Sequence, residues 1–350
     1  MPIVQADRLT RIGAAILQAA GASEEEAKSV ASGCVNANLA GHDSHGVIAI
    51  PTYIDRVKGG HIVPGAKWTI VQESPTTTVI DGHWGFGFHV NAKAMELTIN
   101  KAKTANVAAC TVFRQSHVGR LAHYPMMAMR EGMIGIATAD SGRSPKHVAP
   151  FGRSRGAARH QSDLDCGPLR PRGAILSRHG DLGGRCRQDC ARGRAQGGDP
   201  EGLDHRRAGT AHHRPHAISQ GRRAAAARRH RRLQVQWPRR DGGGLCGLLT
   251  GLGFGVEPTG RHNDGTFMAV FNVAAFRPLQ EFKKEVADFA RYLKSTPPSD
   301  GSPGVFYPGE VEYLREQERR KNGIEIEDAT WEKLRALAGE YNIAKDLDLV

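Results

Sequence analysis

Gly41-His42-Asp43-Ser44-His45-Gly46-Val47-Ile48-Ala49-Ile50-Pro51-Thr52-Tyr53 breaks a run of helical periodicity near the start of the chain. Upstream, Leu9, Ile12, Ala15, Ile16 and Ala19 recur at helical spacing and stop at Gly21, a suitable C′ residue, which predicts a helix over 9–19. Ser23 and Glu26 make a capping box that opens a second helix ending near Leu39. Downstream, the apolar pattern of 47–57 stops at Gly59-Gly60, so the first 60 residues are expected to be helical. The quoted stretch thus lies at a junction of two helices, with two imidazoles, a carboxylate and a hydroxyl within four positions. Such a set supplies a proton donor or acceptor and its orienting partner. The plainer reading is a helix-break loop in which Asp43 or Ser44 is an N-cap, and spacing alone does not choose between the two.

Further along, the period changes. Short β-branched or apolar runs at 68–72, 76–80, 108–113 and 133–139 predict strands, with helices at 91–104 and 120–131. A strand at 267–273, a helix at 279–293, a Pro/Gly/Ser linker at 295–303 and charged helices at 310–321 and 330–341 complete the pattern. These elements describe an α/β enzyme with a helical subdomain built from both chain ends: a helical segment 1–70, a central domain 71–290, and a C-terminal helical segment 291–350 packing on the N-terminal helices.

Ser116-His117-Val118-Gly119 follows the 108–113 strand directly. A histidine at a strand end, with Gly and a helix behind it, occupies the place where open α/β sheets present chemistry, although a lone histidine is more often structural. Gly251-Leu252-Gly253-Phe254-Gly255 and the glycines between 82 and 87 neither follow a strand nor open a helix, so the dinucleotide fingerprint is absent and a conventional Rossmann domain is not expected.

The 350 residues suit two or three domains. Hydrophobic residues are 39% of the chain, and no run of about 18 apolar residues is present to cross a bilayer. The N-terminal residues lack a basic-then-apolar signal pattern, and six Cys are too sparse for a disulfide scaffold, so a cytoplasmic location is expected. The net charge of +12 resides in one segment: residues 153–244 hold 21 Arg, no Lys and 8 Asp and Glu, while the rest carries 27 basic and 28 acidic residues. That window of 92 residues has no Phe, Tyr or Met and only 9 Leu, Ile or Val, too few for a core.

Gly41-His42-Asp43-Ser44-His45-Gly46, Ile50-Pro51-Thr52-Tyr53, Ser116-His117-Val118-Gly119 with Tyr124, Val148-Ala149-Pro150-Phe151-Gly152, Leu245-Cys246-Gly247-Leu248-Leu249-Thr250-Gly251 and Pro308-Gly309-Glu310 together resemble the malate/L-lactate dehydrogenase family. The resemblance covers roughly residues 5–152 and 245–345. An apolar residue at Ala49, where other members carry Arg, is closer to the hydroxycarboxylate dehydrogenase B branch and leaves that position without a group for the substrate carboxylate. The resemblance implies a non-Rossmann fold with a largely antiparallel cofactor-domain sheet. It also implies a homodimer and an oxidoreductase that moves a hydride between NAD or NADP and a 2-hydroxy or 2-oxo carboxylic acid. By the same resemblance His117 exchanges the proton of the substrate hydroxyl, His45 with Ser44 forms an orienting relay, and Ser141, Pro308, Gly309 and Glu310 contact the cofactor.

The family also carries Gly-Thr-Asn-Pro, Asp-Met-Ala-Thr-Ser, Gly-Trp-Ile-Ile-Asp with Pro-Thr-Thr-Asp-Pro, and a Gly-Tyr-Lys segment, and none stands between 153 and 244 as written. Back-translated as CGG CAC CAA TCC GAT CTC GAT, residues 159–165 read from the second base encode Gly-Thr-Asn-Pro-Ile-Ser. Residues 178–183 treated alike encode Asp-Met-Ala-Thr-Ser, which holds the Asp that completes the relay; residues 202–206, 211–216 and 232–237 permit the remaining motifs. One shift direction restores them all in order, which points to compensating frame changes, one within 152–159 and one near Gly244.

Within the window, His205, His212, His213 and His216 with Cys186 and Cys190 match no zinc spacing, so no metal is expected. The Arg run 222–232 lacks stacking aromatics apart from Trp237, so neither a nucleic-acid nor a membrane partner is expected. The alternative function is a basic nucleic-acid-binding protein on a dead enzyme scaffold.

Overall fold

The computed structural model describes residues 1–141, 243–252 and 260–349. The arginine-rich window, with its expected loss of packing and its shifted motifs, lies outside the described residues except for its last two positions.

Strand β1 (Ile3–Val4) leads into helix α1 (Ala6–Ala19), whose Leu9, Ile12 and Ile16 are buried on one face. Helix α2 (Glu24–Leu39) opens with the expected capping box: the Ser23 hydroxyl accepts the Glu26 N–H at 3.2 Å and the Glu26 carboxylate accepts the Ser23 N–H at 3.0 Å. That carboxylate also accepts the Gly65 N–H at 2.8 Å, which ties the loop ahead of the sheet to the helix start. A 3-10 turn, Asp43–His45, and a second, Val47–Ala49, precede α3 (Ile50–Lys58), where Pro51 sits in the first turn, a position that needs no donor.

Strands β2 (Thr69–Glu73) and β3 (Thr77–Asp81) precede helix α4 (Gly87–Ala105), strand β4 (Val107–Phe113), helix α5 (His123–Arg130) and strand β5 (Met133–Ser141). After a π-helical turn at Gly243–Leu248 come β6 (Asp264–Asn272), α6 (Leu279–Lys294), α7 (Glu310–Asn322), β7 (Ile324–Glu325) and α8 (Asp328–Glu340). The five-stranded sheet has the order β2-β3-β4-β6-β5, parallel only between β3 and β4. Its apolar face, with Ile80, Cys110, Val112, Met268 and Val270, packs on Met95 and Ile99 of α4 and Tyr124 of α5. A second core joins α1, α2 and α3 to Ile324, Ile326, Leu334 and Leu337 near the other chain end, and β1 pairs with β7.

Several boundaries differ from the sequence reading by three or four residues, and two of them bear on the site. Asn91 resembles a helix start, yet its side chain donates to the Gly87 carbonyl at 2.7 Å and to Gln115, so α4 begins four residues earlier. His262-Asn263-Asp264 resembles a loop, yet the Asp264 N–H donates to the Gln115 carbonyl at 3.1 Å and β6 begins there.

Phe88 links the two cores by lying between two glycines. A Cβ on Gly33 of α2 would come within 2.5 Å of its ring, and one on Gly119 within 1.8 Å, with Gly119 also at φ +69°. In an open helix interior Gly→Ala stabilises by about 1 kcal/mol. At Gly33 the ring blocks the methyl group, and overpacking costs about 1–3 kcal/mol. Gly33→Ala is therefore expected to lower the urea midpoint, and Phe88→Leu to relieve that loss; a higher midpoint in the single variant would contradict this packing.

Candidate active site

β3 and β4 run parallel and end together, at Asp81 and Phe113. The segment that leaves β4 begins with Arg114 at φ +48° and continues through Gln115, Ser116, His117 and Val118. Its course is fixed from several sides. The Ser116 N–H donates to the Gly85 carbonyl at 3.2 Å, the Gln115 amide donates to Thr266 Oγ1 at 2.9 Å, and the Tyr124 hydroxyl donates to the Val118 carbonyl at 2.6 Å. Because β6 is antiparallel to β4, the start of β6 lies beside the end of β4, and the Val118 N–H donates to Asp264 Oδ2 at 3.2 Å.

His117 is half-buried at the centre of this arrangement. The Tyr53 hydroxyl of α3 is 2.7 Å from its Nδ1. The ring of His45 lies 5.6 Å away between centroids, tilted by 33°, and that of His262 lies 5.5 Å away, edge-on at 84°. Ser44 Oγ is 3.0 Å from His45 Nδ1, and His262 Nε2 is 2.8 Å from Asp264 Oδ1.

Withdrawal from water pulls the His117 imidazole down to about 3; Asp264 opposes that fall, while His262, His45 and Arg56 add to it. Burial alone would raise the Asp264 carboxyl, but His262, His117 and the Val118 N–H outweigh it and hold the carboxyl below the usual aspartate value. Burial pushes the Tyr53 hydroxyl well above its ordinary range, so it stays protonated.

The Asp43–His45 turn is held from the far end of the chain. Arg319 of α7 donates to both carboxylate oxygens of Asp43, at 2.7 and 3.1 Å, and to the Asn38 carbonyl. Asn38 in turn donates to Asp43 at 2.7 Å and accepts the Val47 N–H at 2.9 Å. His42 Nε2 lies 3.5 Å from Glu312.

Of the residues singled out by sequence, Ser44, His45 and His117 come together. Ser141 stands cross-strand from Asp264 at the end of β5. Pro308, Gly309 and Glu310 form the entrance to α7, where Gly309 takes φ +93° and the buried Glu310 accepts from Lys294 and from the Tyr307 N–H. Among the described residues, the helix they open reaches the turn that carries His45 through its contacts to His42 and Asp43. The sequence reading missed His262, Asp264 and Arg319 and gave Tyr53 no role in the site. The available signal was His262-Asn263-Asp264, three polar residues immediately ahead of an apolar strand. Among the described residues no group of three or more His, Cys, Asp or Glu is placed to hold a metal ion, and no helix is long and apolar enough to cross a membrane.

A family model for malate/L-lactate dehydrogenase matches residues 4–157 and 244–335. The chain is 30% identical over 344 residues to the L-sulfolactate dehydrogenase of Methanocaldococcus jannaschii, covering 94% of each. It is 35% identical over 137 residues to hydroxycarboxylate dehydrogenase B of Escherichia coli O157:H7, covering 39% of this chain and 38% of that one. Its fold matches the crystal structure of malate dehydrogenase from Entamoeba histolytica with a TM-score of 0.73 at 26% identity, covering 97% and 98% of the two chains. Fold and relatives alike are those of hydroxyacid oxidoreductases, and the chain belongs to the malate/L-lactate dehydrogenase family. The nucleic-acid reading finds no support among these relatives.

The depressed histidine has a consequence for stability. Below the ordinary value near 6.5 the unfolded chain binds a proton at position 117 that the folded chain refuses until about pH 3, so stability falls as pH falls through that interval. One such group contributes a slope of up to about 1.4 kcal/mol per pH unit. His123, pulled down to about 4 by burial, acts in the same direction. The urea midpoint of His117→Gln is expected to drop less between pH 7 and pH 5 than that of the parent chain; equal drops would show that His117 is not held neutral.

Proposed function

We propose that this protein is an NAD- or NADP-dependent 2-hydroxy acid dehydrogenase in which His117 exchanges the proton of the substrate hydroxyl. The observation that carries this reading is the convergence of Tyr53, His45, His262 and Asp264 on one half-buried imidazole. In the tautomer whose Nδ1–H donates to the Tyr53 oxygen, Nε2 keeps the lone pair that a proton acceptor needs. The ring is neutral at neutral pH, as a base must be before it takes a proton, and the Asp264 carboxylate faces the charge that then forms. Ser44 orients His45 on the flank of the same ring.

The residues present suit the nicotinamide end of the cofactor. Ser116 Oγ is buried beside His117 without a hydrogen-bond partner among the described residues, and Ser141 and the turn Pro308, Gly309 and Glu310 are the further contacts the family resemblance suggests. They do not make a phosphate cradle, since Glu310 and Glu312 place carboxylates in the first turn of α7. A bound nicotinamide supplies or accepts the hydride at the substrate carbon. A homodimer and a cytoplasmic location complete the reading, supported by the family resemblance.

The shifted reading frame belongs to the same proposal. The family match breaks off at 157 and resumes at 244, which supports a window near the 153–244 that the composition marks. The window 153–244 replaces the relay Asp and the Thr-Asn-Pro turn by residues of other charge and shape, and catalytic groups need placement to within about half an ångström. The chain as written is expected to show little or no oxidation of NADH or NADPH with pyruvate, oxaloacetate or hydroxyphenylpyruvate, whereas the frame-restored protein reduces at least one of them. Comparable rates from both would make the window dispensable. In the restored protein, His117→Gln is expected to lower kcat about a hundredfold or more with cofactor affinity nearly intact; unchanged turnover would remove His117 from the mechanism.

A further inference from the structure

Asp264 reaches the segment carrying His117 at both of its ends. Its main-chain N–H donates to the Gln115 carbonyl at 3.1 Å, and its carboxylate accepts the Val118 N–H at 3.2 Å, so one residue brackets Gln115-Ser116-His117-Val118. The other carboxylate oxygen lies 2.8 Å from His262, whose ring stands edge-on against His117. The side chain is 4% exposed, and a buried carboxylate is retained at a cost unless charge or donors compensate it. Among the described residues the compensation comes from one backbone N–H and from imidazoles.

We propose that Asp264 is the positioning residue of this site, setting the pose of His117 through the bracketed segment and supplying, directly and through His262, the buried negative charge against which His117 can take a proton. Its connection to proton exchange rests on the dehydrogenase reading; its grip on His117 does not. The groups that face His117 are Tyr53 and Arg56 from α3, His45 from the 3-10 turn, and His262 and Asp264 from the start of β6. Among these described groups Asp264 is the carboxylate, and the others are neutral or positive. A residue that merely completes the packing would influence His117 equally at every pH. A charge partner influences it where His117 titrates.

The test uses the full chain, without substrate or cofactor, so its outcome is independent of whether the protein is a dehydrogenase. Asp264→Asn keeps the shape and an acceptor for the Val118 N–H and removes the charge. It is combined with His117→Gln in a double-mutant cycle on urea midpoints at pH 8 and at pH 3, with circular dichroism melts confirming that each variant folds. The expected result is near-additivity at pH 8, where His117 is neutral, and at pH 3, where the folded chain begins to protonate it, a coupling that makes Asp264→Asn more damaging when His117 is present, by about twofold in the folding equilibrium constant. In histidine-labelled chain, the ring signals of His117, assigned by their loss in His117→Gln, are expected to move in Asp264→Asn, with the protonation midpoint falling by about one pH unit. Additivity at both pH values together with unmoved His117 signals would overturn the proposal. Should Asp264→Asn fail to fold, Asp264→Glu takes its place: retained charge at a displaced position is expected to preserve the coupling at pH 3 while shifting the His117 signals, and loss of the coupling there would overturn the proposal equally.

Discussion

The β4–β6 ladder is the contact on which the rest of the site depends. Six residue pairs, from Val107↔Phe271 to Val112↔Thr266, join the N-terminal half of the chain to a strand about 150 residues further on. The antiparallel sense of that pairing places the start of β6 beside the end of β4, which is how Asp264 and His262 reach His117. Once the ladder is in register, Gln115 is held by Thr266 and Val118 by Asp264, and these two contacts are two residues apart on one face of one strand. A slip of a single residue would turn both side chains to the other face. Sheet register and site geometry are therefore one constraint.

The helical unit plays a complementary part. α3 brings Tyr53 to Nδ1 of His117, and the Asp43–His45 turn brings His45 against the ring, so two of the three aromatic rings described beside His117 come from the helical unit. Phe88, wedged between Gly33 and Gly119, keeps the two cores at a fixed separation at the point where their side chains meet. Arg319 then secures the turn through Asp43 with a two-pronged grip that an ammonium group could not reproduce.

Local physics left a clear record in the sequence. The capping box at Ser23, the helical stripe Leu9, Ile12 and Ile16, and the apolar runs of β3, β4 and β5 are properties of neighbouring residues, and each element formed where the pattern placed it. Ser44, His45 and His117 were visible because their motifs are contiguous. His262, Asp264 and Arg319 were not, since their significance arises only when strands and helices far apart in the chain become neighbours. Periodicity also says which face of a helix is apolar without saying what covers it. α6 has a strongly apolar stripe, with Phe282, Val286, Phe289 and Leu293, yet buries none of its side chains.

The pairing of β1 with β7 bears on how the molecule is made. Ile3 and Val4 leave the ribosome about 320 residues ahead of their partners Glu325 and Ile324. At about 5–20 residues per second, α1 and α2 wait on the order of 15–60 s for the strand and helix that close their core. For that interval Leu9, Ile16 and Leu17 have part of their packing partners still unsynthesised, so apolar surface that the finished core covers stays open in the nascent chain.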